Sequence, residues 1–166
     1  SKKTITTTGR YLKDQMFWSE YYNHFEEGVL FTDIEQGLSV LWKASFKNGQ
    51  VYKENLGLIV PGGLFVLPNN NNTSHSSQFS ATLFIEENKL FVQSRNLTLQ
   101  VLGIVHTHPD GSGFIEPTSK KDYQFAYLGI HNYIISNNLL FDAHHNERGN
   151  ETFERIRKTH NYQGIP

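Results

Sequence analysis

The run "LQVLGIVHTH", residues 99–108, constrains the fold of this chain more than any other stretch. It is nearly all apolar, too short to span a membrane, and leads into a proline and the Gly-rich "PDGSGF". A short run without polar alternation reads as a β-strand covered on both faces. Such a strand needs a sheet with material packed on each side. The expected fold class is therefore α/β or α+β, a mixed sheet flanked by helices.

Composition sets the remaining bounds. A chain of 166 residues with 37% hydrophobic content suits one domain, residues 1–166, with a single sizeable core. The net charge of −1 gives no reason to expect a nucleic-acid partner or a membrane surface. With no cysteines, disulfides, thiolate metal sites and cysteine nucleophiles are excluded. The first residue is Ser rather than Met, which leaves both processing and compartment open.

Other elements follow from local pattern. Residues 11–31 read as an aromatic-rich helix followed by an irregular segment, and residues 32–49 as a second helix. Thr32 or Asp33 can cap that second helix, Ile34, Leu38, Leu41 and Trp42 share one face, and Asn48-Gly49 can end it. Residues 51–60 and 64–68 suggest a hairpin around Pro61-Gly62-Gly63, and the Asn-rich residues 69–78 a solvated loop. Periodicity leaves residues 81–93 open between a helix and a strand pair. The spacing predicts a helix from Ser119 to about Leu128, strands around Asn137-Asn138, and a C-terminal helix in "NETFERIRKTHNYQ".

Chemistry concentrates at the end of the apolar strand. Strand residues i and i+2 share a face, so His106 and His108 project side by side. Neutral imidazoles are good zinc ligands, and a catalytic zinc site takes three protein ligands with one position open. Asp122, in "SKKD", is a candidate third ligand. The same residues also read as a strand end, a turn and a helix cap, with Ser119-x-x-Asp122 as a capping box. Thr107 faces the other way and reads as structural. A second cluster in "DAHH", residues 142–145, is weaker because adjacent strand histidines point apart.

Taken together, "HTHP" and "SKKD" resemble the H-x-H-P…S-x-x-D signature of the JAMM (MPN+, JAB-domain) zinc metalloproteases. The upstream "ENLGLI", Glu54 through Ile59, resembles that family's E-x-x-G-[LIM]-[LIM] element. The likeness covers roughly residues 32–135, leaving the N-terminal segment and the C-terminal helix outside it. It implies a curved mixed sheet flanked by helices and a peptidase or isopeptidase activity with one Zn2+ per chain. It also implies roles: His106, His108 and Asp122 as metal ligands, Glu54 as general base and Ser119 as oxyanion donor. The segment between His108 and Ser119, ten residues here, is longer than the family's usual pattern and brings in Asp110 and Glu116 as rival ligands. Glu86 and Glu87 compete for the role of base, but neither has the E-x-x-G context.

In such a site, zinc would acidify a bound water, Glu54 would carry its proton to the leaving amine, and Ser119 would stabilise the oxyanion. The implied substrate is a peptide, a protein or a protein conjugate, and nothing in the sequence sets the oligomeric state. Other readings are a JAMM-like binding scaffold without catalysis, a metal-dependent amidase acting on a non-protein substrate, and an effector domain cut from a longer polypeptide.

Overall fold

The computed structural model describes residues 28–69, 72–73, 82–94, 97–109, 125–137, 139–145 and 151–158. Strand β1 (Val29–Phe31) leads into helix α1 (Ile34–Lys43). Of the two candidate caps, Asp33 takes the role: its carboxylate accepts the backbone N–H groups of Glu35 at 3.0 Å and Gln36 at 3.4 Å. The helix ends at Ala44, before Asn48-Gly49. Those two residues, with φ of 54° and 75°, instead turn a small hairpin between β2 (Phe46–Lys47) and β3 (Gln50–Val51). Asn-Gly with both residues left-handed suits a two-residue hairpin turn, and it wins over helix termination here.

The expected hairpin around Pro61 forms from β4 (Leu56–Val60) and β5 (Gly63–Val66), with Gly62 at φ 83°. Residues 82–94 resolve as strands, β6 (Thr82–Glu86) and β7 (Lys89–Ser94), turned by Glu87 and Asn88 at positive φ. The apolar run expected as one strand over residues 99–108 is instead divided at the exposed Leu102: its first part lies in β8 (Leu97–Val101), and its second forms β9 (Gly103–Thr107) in a different sheet. The last strands among the described residues are β10 (His131–Ser136), β11 (Leu139–His145) and β12 (Glu151–Lys158). The expected C-terminal helix is therefore replaced over residues 151–158 by a strand antiparallel to β11. The register shifts between Leu140 and Phe141, a bulge that lets β12 follow its neighbour. In the region expected to be helical from Ser119 to Leu128, residues 126–128 form a short 3-10 turn, and residues 119–124 lie outside the described residues. Residues 11–27 of the first expected helix also lie outside them.

The molecule is a mixed α/β structure, strand-rich, with α1 as the α-helix among the described residues. Among the described residues the main sheet has seven strands in the order β1-β5-β4-β9-β10-β11-β12, and β6-β7-β8 form a second sheet. Strand β9 is central, antiparallel to β4 and parallel to β10. Both its faces are covered, as its composition requires. On one side Val105 packs with Leu38, Leu41 and Trp42 of α1. On the other, Leu56, Leu58 and Val60 meet Leu90, Val92 and Val101 of the second sheet, with Ile104, Phe125, Leu128 and Ile130 packed against them. The second cover is thus a small sheet and an irregular segment, where a flanking helix was expected. No helix among the described residues is long and apolar enough to cross a membrane.

Candidate metal centre

His106 is the fourth residue of β9, and His108 follows the strand's end. Their rings lie 4.7 Å apart between centroids, tilted by 52°, so the two imidazoles do stand side by side. The chain is held at this point by the His108 N–H, which donates to the Ile135 carbonyl at 2.9 Å. His106 is buried and His108 half-buried. Burial lowers the pKa of His106 to about 4, against the opposing effect of a side-chain hydrogen bond with Asn132 on β10. At neutral pH this ring is therefore uncharged, the form in which imidazole binds a metal.

Register carries Glu54 to the same place. In the β4–β9 ladder Leu56 lies opposite His106. Glu54 lies two residues before this pair and His108 two residues after it, so both flank the end of the ladder. The residues between, Asn55 and Thr107, face the helix side. The Thr107 N–H donates to the Asn55 carbonyl at 3.0 Å, but the Asn55 N–H donates to Thr107 Oγ1 at 2.9 Å, so a hydroxyl replaces the carbonyl expected in the ladder.

That hydroxyl belongs to a buried polar network whose protons can all be assigned. Ser45 Oγ donates to the Leu41 carbonyl at 2.8 Å, so Thr107 Oγ1, 2.7 Å away, supplies the proton between the two hydroxyls. Asn55 Nδ2 spends its two protons on the Leu41 carbonyl at 2.9 Å and Ser45 Oγ at 3.1 Å. Asn55 Oδ1 accepts from Asn69 Nδ2 at 3.1 Å. The expectation that Thr107 is structural holds, and the network ties α1, the start of β4 and the end of β9 together directly behind the histidines.

Among the described residues no three His, Asp or Glu side chains converge as a metal-binding group. Ser119, Asp122, Asp110 and Glu116 all lie outside those residues. The donor set that is described, two adjacent imidazoles with one held neutral by burial, fits zinc in its chemistry. Glu86 ends β6 and Glu87 is in the adjoining turn; both are exposed on the second sheet. Asp142 of "DAHH" is engaged at 2.8 Å by His131 Nδ1. Tyr133, stacked on His131, has its pKa raised by burial and by the charge of Asp142.

Pattern reading missed Asn55, Asn69, Asn72 and Asn132. The available signal was Asn55 itself, a polar residue on the core side of an apolar strand. Asn69 and Asn72 are buried, so the Asn-rich stretch is not wholly a solvated loop. Their low-complexity context concealed that role. No protein-family model, curated protein or solved structure matches this chain.

Proposed function

We propose that this chain is a zinc-dependent hydrolase of peptide or isopeptide bonds, with the JAMM/MPN-type curved sheet. The observation that carries the reading is the side-by-side placement of His106 and His108 at the end of β9, with Glu54 two residues before the strand paired to it, in the order the signature requires. His106 and His108 would hold the metal, with Asp122 as third ligand. Zinc, when bound, supplies a Lewis acid that polarises the scissile carbonyl and makes water acidic enough to deprotonate near neutral pH. Glu54 accepts the proton from the attacking water and returns it to the leaving amine as the C–N bond breaks. The Ser119 hydroxyl donates to the developing oxyanion. His106, kept neutral by burial, keeps a lone pair for the metal at neutral pH.

The test is elemental analysis of wild type and His108→Ala in parallel, followed by hydrolysis of a quenched-fluorescence peptide library and an isopeptide-linked lysine probe. Support is about one zinc per wild-type chain, lost in His108→Ala, together with cleavage abolished in a metal-retaining Glu54→Gln. Zinc binding without cleavage of either probe would favour an amidase for a non-protein substrate. No zinc uptake would leave a non-catalytic scaffold.

A further inference from the structure

Resting on the hydrolase reading, we infer that Asn72 is a positioning residue that aims the Glu54 carboxylate. Glu54 precedes β4, so the sheet ladder does not hold its peptide groups. Two consecutive residues of the Asn-rich stretch do so instead. The Glu54 N–H donates to the Thr73 carbonyl at 2.7 Å, and the Glu54 carbonyl accepts from Asn72 Nδ2 at 2.7 Å. These bonds fix the peptide planes on both sides of the Glu54 Cα. Because each plane is rigid, fixing both sets φ and ψ, and with them the direction of the Cα–Cβ bond.

The clamp is itself anchored. The Asn72 N–H donates to the Asn69 carbonyl at 3.1 Å, closing a turn. Asn69 accepts Lys53 Nζ on the same carbonyl at 2.9 Å and donates its side-chain amide to Asn55. Asn69, Asn72 and Thr73 thus grip Lys53, Glu54 and Asn55, and Asn55 leads through Thr107 to the strand bearing the histidines. Asn72 is only 5% exposed, so water competes poorly for its amide. A general base must be held close to its productive geometry, and a small misplacement costs rate without costing substrate affinity.

The experiment compares wild type, Asn72→Ala and the amide-retaining Asn72→Gln by zinc content, amide hydrogen exchange at Glu54, and kinetics on the library peptide that wild type cleaves fastest. In Asn72→Ala the Glu54 amide is expected to exchange about tenfold faster. Its kcat is expected to fall by about tenfold to a hundredfold, with KM within about twofold of wild type. Zinc content stays at the wild-type level, and Asn72→Gln recovers a substantial part of kcat. Should Asn72→Ala fail to fold, Asn72→Ser is read in the same way. An active wild type with Asn72→Ala equally active and equally protected overturns this inference alone. A wild type that hydrolyses none of the library, with or without zinc uptake, overturns the peptidase reading, and this inference with it.

Discussion

Thr107 Oγ1 accepts the Asn55 backbone N–H at 2.9 Å on the sheet face opposite His106. One hydroxyl thereby joins the strand that leads from Glu54 to the strand that carries the histidines, and it also donates to Ser45. Thr107→Val keeps the shape but leaves a buried N–H and a buried hydroxyl short of partners. The expected loss is about 2–3 kcal/mol of unfolding free energy, measured by urea titration, with Thr107→Ser recovering most of it. A loss below about 0.5 kcal/mol would show that the network contributes little.

Acid should unfold the metal-free protein partly through His106. Its folded pKa of about 4 lies below the ordinary 6.5, so between these values the unfolded chain binds the proton and the folded one does not. Stability from this group is complete above pH 6.5 and falls as the pH drops towards 4, by on the order of 3 kcal/mol. Comparing unfolding free energies of wild type and His106→Gln across this range, with chelator present, should show a steeper fall for wild type. Parallel curves would mean that the buried ring is not the source.

Asn132, buried on β10, acts through its side chain to raise the His106 pKa against the effect of burial. Partners of this kind fix a ligand's orientation and typically contribute about ten- to a hundredfold in metal affinity. Asn132→Ala is expected to weaken zinc binding by that factor, read by competition against a chromophoric chelator. Unchanged affinity would remove Asn132 from the metal centre.

Gly63, the first residue of β5, lies hard against the backbone of the β1 edge strand. A Cβ added there would collide with the Phe31 carbonyl oxygen. Backbone cannot yield as a side-chain tip can, so Gly63→Ala is expected to cost about 3 kcal/mol or to displace β1. Thermal unfolding together with amide exchange of Val29–Phe31 distinguishes these outcomes.

Much of the candidate site was legible because it follows from alternation and turn chemistry. His106 and His108 share a face for the same reason that any residues i and i+2 of a strand do, and the apolar Gly103–Val105 part of the run is covered on both sides, whereas Leu102 before it is exposed. Asp33 as helix cap and Pro61-Gly62 as a turn are equally local. The misreadings have different causes. Residues 151–158 become a strand because β11 offers an edge to pair with, a partner that no local pattern contains. Asn48-Gly49 turn a hairpin by local chemistry, both residues taking the left-handed conformation that also suits a helix end.

The sequence by itself determined the doubly covered strand, the paired imidazoles at its end and the mixed α/β class, since these depend on polarity and on the fixed period of a strand. Tertiary structure alone decided that a three-stranded sheet covers the second face of β9. It also decided that Asn69 and Asn72 leave water to bind the backbone around Glu54. The physical reason is the reach of the interactions. A side chain's face is set by its neighbours in the chain, whereas a buried amide is stable only where a distant segment supplies the matching donor or acceptor.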